Sequence, residues 1–207
     1  MSIDDYILSH ITPEDKYLHS LYRATNLRLL RPRMASGHVQ GSFLRMLTAL
    51  VRPQHVLEIG TFSGYATLCI AAALPEEGKI LTYEINDEQE DFTRPWLEGS
   101  PYAEKIEMQV GDALVLLPQR HETFQMAFID GNKRQYVEYF EMILPRMSTG
   151  GLLVFDNTLW NGHVAEGDHH DAQTEGIRRF NDLVARDSRV ETVILPLRDG
   201  LTLMRKT

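Results

Sequence analysis

The spacing of apolar residues divides the chain into a helical N-terminal segment, residues 1–52, and an alternating segment, residues 53–207. In the first segment apolar residues recur every three or four positions, which is the period of a helix with one buried face. The last of these stripes consists of Phe43, Leu44, Leu47, Leu50 and Val51. Thr12-Pro13 precedes an earlier stripe and predicts a helix start there, with a hydroxyl cap and a proline at the first helical position.

The second segment alternates short apolar runs with amphipathic stretches, a pattern typical of α/β proteins. Strands are predicted over residues 55–59, 79–84, 105–110, 124–129, 151–155, 192–195 and 201–204. Helices are predicted over residues 65–74, 87–97, 136–147 and 175–186, with a kink or a break at Pro95. Near-continuous apolar strands predict a mostly parallel sheet with helices on both faces. The link 196–200 is too short for a parallel crossover, so the last two strands are predicted to form an antiparallel hairpin.

Length and composition agree with a single domain spanning residues 1–207. A chain of 207 residues is long enough for one large core and short for two. The formal charge of −8, from 29 acidic and 21 basic residues, argues against a protein whose main role is to grip nucleic acid. No apolar stretch is long enough to span a bilayer and no signal pattern is present, which predicts a cytoplasmic protein without a membrane partner. The single cysteine, Cys69, lies in an apolar run and is interpreted as a buried hydrophobic residue.

A glycine turn follows the first predicted strand. It runs Glu58-Ile59-Gly60-Thr61-Phe62-Ser63-Gly64, and its Gly-x-x-x-Gly spacing differs from the glycine pattern of dinucleotide folds. Glycines at such a turn let the backbone bend sharply and approach a ligand closely. Taken alone, the turn is equally compatible with tight packing.

Two further segments make the turn more specific. Glu84 ends the second predicted strand about 20 residues after the glycines, where a carboxylate can accept both hydroxyls of a ribose. Asp112-Ala113 follows the third predicted strand, within reach of an adenine edge. With Glu58 and Gly60 these residues form a nucleoside cradle. The cradle has acids and no lysine to grip phosphate, which favours a positively charged sulfonium over a pyrophosphate.

Polar residues also follow the fourth and fifth predicted strands. Asp130 and Asp156-Asn157 are expected to converge at one rim, because these strands are neighbours in a doubly wound sheet. Two carboxylates and an amide oxygen suit Mg²⁺, Mn²⁺ or Ca²⁺. Lys133 comes one turn after Asp130 and can take a proton from a hydroxyl held by the metal. The acid–amide pair has an equally open structural interpretation, since Asp caps helices and Asp-Asn is a common turn pair.

Three histidines, His163, His169 and His170, lie in the polar stretch 162–171. Histidines mixed with acids raise the possibility of zinc. These residues sit together on one loop without a recognisable ligand spacing. We therefore interpret the stretch as a mobile loop that borders the substrate site.

Together these motifs resemble the cation-dependent O-methyltransferases, the group of catechol and caffeoyl-CoA O-methyltransferases and their bacterial relatives. The matching segments span nearly the whole chain in the family's order: residues 34–37, 56–65, 128–130, 150–151, 156–162, 195–196 and 199–200. The run Asp156-Asn157-Thr158-Leu159-Trp160-Asn161-Gly162 is particularly specific. The resemblance implies a Rossmann-like class I methyltransferase fold with seven strands, the last of them antiparallel. It also implies a homodimer.

The resemblance further implies S-adenosylmethionine as cofactor together with a divalent cation, Mg²⁺ first and Mn²⁺ or Ca²⁺ as alternatives. The methyl donor would be lined by Ser36, Glu58, Gly60, Thr61, Phe62, Glu84, Asp112, Ala113 and Asp130. The metal would be held by Asp130, Asp156 and Asn157. Lys133 matches the general base of the catechol branch and is assigned, with Asp130, to the catalytic set. Asn161 and Lys133 would face the acceptor.

Two departures from the family pattern affect these assignments. Ala66 stands where members usually have a serine that bonds the donor's carboxylate, so this bond is missing or replaced. Gly131-Asn132 stands where plant members have Ala-Asp and the catechol enzyme has a large aromatic residue. The wall of the acceptor site is therefore smaller and different.

Four functions are compatible with the sequence. The leading hypothesis is methylation of a hydroxyl on a metal-chelated vicinal diol or catechol-like small molecule. The runner-up is methylation of a hydroxylated uridine in transfer RNA, for which the basic run Arg23, Arg28, Arg31 and Arg33 is the candidate surface; the same run is also interpreted as a solvated helix end. A third, from another class, is a non-catalytic nucleoside-binding protein with a structural metal. An NAD dehydrogenase is the least favoured alternative.

Overall fold

A mixed sheet of seven strands forms the centre of the computed structural model, which describes residues 1–207. Its strands are β1 (His55–Ile59), β2 (Lys79–Glu84), β3 (Ile106–Val110), β4 (Phe124–Ile129), β5 (Met147–Asp156), β6 (Val190–Leu195) and β7 (Leu201–Lys206). They lie in the order β3-β2-β1-β4-β5-β7-β6. The first five pair in parallel, and β7 runs antiparallel to both of its neighbours. The predicted sheet, with its antiparallel last strand and terminal hairpin, is confirmed.

The chain also forms eight α-helices. They are α1 (Ile3–His10), α2 (Lys16–Arg28), α3 (Gly37–Val51), α4 (Tyr65–Ala71), α5 (Glu90–Glu98), α6 (Ala113–Leu116), α7 (Tyr136–Ile143) and α8 (Ala172–Val184). None of them combines the length and the apolar character needed to cross a membrane.

Alternation along the strands explains why both faces of the sheet are covered. Successive side chains of a strand point to opposite faces, and in β1 both sets are buried. Leu57 belongs to an apolar cluster that includes Phe140 of α7 and Phe180 of α8. Val56 belongs to a second cluster, with Leu44 of α3 and Ile70 of α4. The polar ends of the central strands therefore emerge between two helical layers.

The predicted helix start at Thr12-Pro13 is wrong, and so is a break of the later helix at Pro95. No helix begins at Thr12-Pro13; α2 begins at Lys16, because the carboxylate of Asp15 accepts hydrogen bonds from the backbone N–H groups of Tyr17 and Leu18. Helix α5 is not broken at Pro95 but continues to Glu98. Arg94 forms ion pairs with acids one turn before and one turn after it, which stabilises the helix on both sides of the proline.

The terminal hairpin supports the segment that follows β5. Gly200 has φ +90°, and a Cβ atom at this position would lie 2.5 Å from Cγ of Leu159. The backbone can therefore pass close enough for Thr158 N–H to bond the carbonyl of Gly200 and for Leu159 N–H to bond that of Asp199. These bonds fix the start of the polar run after Asp156.

Candidate active site

A buried hydrogen-bond network joins the ends of β4 and β5. Asp130 and Asp156 follow Ile129 and Phe155, which are register partners in the parallel ladder. The Nζ atom of Lys133, a buried residue, donates to Oδ1 of Asp130 at 2.5 Å and to the hydroxyl of Tyr136 at 2.7 Å. That hydroxyl donates to the main-chain carbonyl of Asp156 at 2.6 Å. Two carboxylates and one lysine thus meet at the predicted rim.

The carboxylate of Asp156 is almost completely withdrawn from solvent, with 2% of the residue exposed. Its Oδ2 accepts from Nε2 of Gln40 at 2.6 Å, and its Oδ1 accepts from the backbone N–H of Asn157 at 2.7 Å. Burial raises the pKa of Asp156, and the negative charge of Asp130 raises it further. A cation at this rim would favour the ionised form. The oxygen donors of Asp130, Asp156 and Asn157 fit a hard divalent cation.

Gln40 is itself held by Arg198, a residue that no sequence motif predicts for the site. Nη1 of Arg198 donates to Oε1 of Gln40 at 2.7 Å and to the carbonyl of Ser36 at 2.6 Å. Nη2 donates to the carbonyl of Arg33 at 3.0 Å. The link between β6 and β7 therefore anchors the segment before α3 and orients the amide that bonds Asp156.

The glycine turn lies directly against Asp130. Gly60 has φ +101°, and a Cβ atom there would lie 2.5 Å from the carbonyl oxygen of Asp130, so a side chain would collide with backbone. Glu84 fastens the outer part of the turn, because its Oε2 accepts from the backbone N–H of Phe62 at 2.7 Å. Its other oxygen accepts from the N–H of Asn86 at 2.9 Å. The turn and the acid after the second strand therefore form one unit.

Glu58 lies beneath the turn and is completely buried. Its Oε2 accepts from the hydroxyls of Thr67 at 2.5 Å and Thr82 at 2.6 Å, and the hydroxyl of Thr61 lies 2.6 Å from that of Thr82. Oε1 has no hydrogen-bond partner. Burial raises the pKa of Glu58 to about 7, and a positive charge nearby would favour its ionised form.

A cavity lies between the glycine turn and the segment before α3. Five residues assigned to the methyl donor line it: Ser36, Gly60, Thr61, Phe62 and Asp130. Ala66 and Ser63 also line it, and the buried hydroxyl of Ser63 has no hydrogen-bond partner. An unpaired buried hydroxyl is costly, which makes Ser63 a polar group able to bond a ligand in the cavity.

The remaining predicted residues lie outside that cavity. Asp112 caps α6 by accepting from the N–H of Leu114 at 2.9 Å, and Ala113 is buried beside it. The preceding Gly111 donates its N–H to the carbonyl of Glu84, so this corner adjoins the end of β2. Asn161 is exposed, has φ +52°, and donates its backbone N–H to Asp199.

A family model described as O-methyltransferase matches residues 8–207. The chain belongs to the O-methyltransferase family. It is 36% identical to caffeoyl-CoA O-methyltransferase 5 of Nicotiana tabacum over 186 residues, which cover 84% of this chain and 77% of that protein. It is 38% identical to caffeoyl-CoA O-methyltransferase 1 of Zea mays over 187 residues, covering 84% and 72% respectively.

Solved structures of O-methyltransferases extend this result to the cofactor. The structure of TomG from Streptomyces achromogenes in complex with SAM superposes with a TM-score of 0.92 at 34% identity, covering 99% of this chain and 96% of that one. An O-methyltransferase from Bacillus cereus in complex with SAH gives a TM-score of 0.92 at 28% identity, covering 99% and 97%. These relatives support S-adenosylmethionine as the cofactor of this O-methyltransferase.

Proposed function

We propose that this O-methyltransferase transfers a methyl group from S-adenosylmethionine to a hydroxyl of a metal-chelated vicinal diol or catechol-like small molecule. The observation that carries the proposal is the network of Lys133, Asp130, Tyr136 and Asp156, which lies directly against the glycine turn. Asp130, Asp156 and Lys133 lie together beside this cavity, which supports a metal site with a base next to it.

In this proposal the cradle binds and orients the donor. Glu84, already fixed to the turn through Phe62 N–H, holds the ribose hydroxyls, and Asp112-Ala113 lies at the adenine end. Gly60 lets the donor approach the backbone next to Asp130. Ser36, Thr61 and Phe62 complete the wall. Much of the rate enhancement would come from the resulting alignment of donor and acceptor.

The proposed metal ligands are Asp130, Asp156 and Asn157. A divalent cation held by them would supply the positive charge that makes a vicinal hydroxyl more acidic. Gln40 keeps the carboxylate of Asp156 in place. Once its amine has lost a proton to solvent, Lys133 accepts the acceptor's proton at Nζ, and Asn161 faces the acceptor from the run after β5.

Ser63 is proposed to donate from its unpaired hydroxyl to the donor's carboxylate, a bond that Ala66 cannot make because it has no hydroxyl. Ser63→Ala is expected to weaken S-adenosylhomocysteine binding about tenfold, the effect of removing one hydrogen bond to a charged group. Calorimetry measures the change. Adding Ala66→Ser to the Ser63→Ala protein serves as the control and should recover part of the affinity, whereas an unchanged dissociation constant in Ser63→Ala would exclude this role.

Methyl transfer from labelled S-adenosylmethionine tests the proposed function. Catechols, caffeoyl esters, flavonoids and transfer RNA are offered in parallel, with Mg²⁺ and with EDTA. We expect a catechol-like compound to be methylated only with Mg²⁺, while calorimetry shows that S-adenosylhomocysteine still binds in EDTA. Full activity in EDTA would show that the proposed metal role is wrong.

Two other outcomes of the same experiment identify the alternatives. Labelling of undermethylated transfer RNA without labelling of any small molecule would favour the nucleic-acid substrate; Arg23, Arg28, Arg31 and Arg33 are all exposed and available for phosphate contacts. Donor binding without methylation of any acceptor would favour a nucleoside-binding protein.

A further inference from the structure

Three potential metal ligands converge in the loop between β5 and α8. The loop contains His163, Glu166 and His169, each three residues from the next. One ligand atom from each of them lies within 4.8 Å of the other two. Oε2 of Glu166 is 2.7 Å from Nδ1 of His163 and 3.8 Å from Nδ1 of His169. The same nitrogen of both imidazoles is therefore directed toward one carboxylate oxygen.

A fourth residue orients one of these histidines. Nε2 of His169 lies 2.9 Å from Oδ2 of Asp171. A carboxylate at this position fixes the proton on Nε2 and leaves the lone pair on Nδ1 free for a metal. Carboxylate partners of this kind accompany most histidine ligands in metalloproteins and raise their basicity.

The backbone of this loop is anchored by a single side chain. Arg178 of α8 donates to the carbonyls of Val164 at 3.0 Å, His169 at 2.6 Å and His163 at 2.8 Å, and also to the carbonyl of Glu166. All three candidate ligands are thus attached to backbone held by the same guanidinium. Such a frame lowers the entropy lost when the ligands close on an ion.

We propose that His163, Glu166 and His169 form a second metal site, for Zn²⁺ or a similar borderline transition metal. Two imidazole nitrogens and one carboxylate oxygen are the ligands of many zinc centres with an open fourth position, whereas Mg²⁺ prefers oxygen ligands alone. The side chains remain 32–50% exposed, so an ion can reach them from solvent. This site shares no residue with Asp130, Asp156 and Asn157.

Binding at this site requires a small rearrangement of the two rings. The imidazoles of His163 and His169 are stacked, with centroids 3.9 Å apart and planes inclined by 4°. A nitrogen lone pair lies in the plane of its ring, so both rings must tilt out of the stack to share one ion. The ion would then replace the contact between Nδ1 of His163 and Glu166.

Co²⁺ is a suitable probe, because its visible absorption reports nitrogen ligands and low coordination number. The metal-free protein is titrated with Co²⁺ in excess Mg²⁺, which saturates oxygen-only sites. We expect one equivalent of Co²⁺ to bind with a visible band, and Zn²⁺ to displace it. His163→Ala and His169→Ala should each weaken Co²⁺ binding about tenfold or more.

Two variants make the test specific. His170→Ala is the matched control, because His170 contacts Glu175 instead of the cluster, and it should bind Co²⁺ normally. Asp171→Asn preserves a capping side chain for α8 and should weaken binding about tenfold through His169 alone. Unchanged Co²⁺ binding in the doubly substituted His163→Ala/His169→Ala protein, or no binding by the parent protein, would overturn the proposal.

Discussion

Asp156→Asn is expected to lower the rate of methyl transfer roughly a hundredfold to a thousandfold, the effect of removing one preorganised charge from an active site. Asparagine has nearly the same shape, but its single side-chain oxygen can replace only one of the two carboxylate oxygens, which accept from Nε2 of Gln40 and from the N–H of Asn157. The substitution therefore removes negative charge from the rim and one of these two hydrogen bonds, while the side-chain volume stays nearly the same. Steady-state kinetics at a series of Mg²⁺ concentrations should show that the metal concentration needed for half-maximal activity rises.

Two measurements separate loss of the metal site from loss of the fold. Asp182 is an exposed carboxylate on α8, and Asp182→Asn should leave both rate and metal dependence unchanged. Calorimetry should show that Asp156→Asn still binds S-adenosylhomocysteine, because Asp156 does not line the cavity beside the glycine turn. If Asp156→Asn retains the parent's rate and its Mg²⁺ dependence, the carboxylate has no role in metal binding.

The rim of the sheet could be predicted from the sequence because its signals are local. Asp130 and Asp156 each end a short apolar run, and parallel neighbouring strands bring their carboxyl ends to one edge. Glu84 could be predicted in the same way, from its place at the end of β2. Its contact with Phe62 N–H shows why the acid and the glycine turn act together.

The residues that orient Asp156 could not be predicted in this way. Gln40 lies 116 positions before Asp156, and Arg198 lies 158 positions after Gln40. Gln40 lies four positions before Leu44, on the buried side of α3, but no local motif identifies the partner of either residue. Their contacts depend on how α3 and the terminal hairpin pack, and this packing is determined by the whole core.

The side-chain positions in the loop before α8 also could not be predicted from the sequence. The sequence places His163, His169 and His170 in one polar stretch, yet His170 turns away toward Glu175, and Glu166 lies with the other two histidines. The direction of a loop side chain depends on the backbone φ and ψ angles. In a loop these angles do not repeat regularly, so no periodic sequence pattern predicts them. Here Arg178 holds those angles through four carbonyl contacts.

Lys133→Ala is expected to lower kcat about a hundredfold to ten-thousandfold, the usual effect of losing a general base. Without Nζ the acceptor's proton must pass to hydroxide or water, so the rate should keep rising toward higher pH and the pH optimum should move upward. The structure adds a second expectation. Nζ of Lys133 lies 2.5 Å from Oδ1 of Asp130, where its positive charge competes with a metal for the carboxylate. Lys133→Ala should therefore bind Mg²⁺ more tightly while turning over more slowly.

Two further variants, Lys133→Arg and Tyr136→Phe, distinguish a role of Lys133 as a base from a role in packing. Arginine keeps the positive charge beside Asp130 but does not deprotonate, so Lys133→Arg should be as slow as Lys133→Ala without the gain in metal affinity. Tyr136→Phe removes the hydroxyl that joins Nζ to the carbonyl of Asp156 and leaves the base itself, so it should retain most of the rate and the parent's pH profile. A pH–rate profile unchanged in Lys133→Ala would exclude Lys133 as the base and would leave it a structural partner of Asp130.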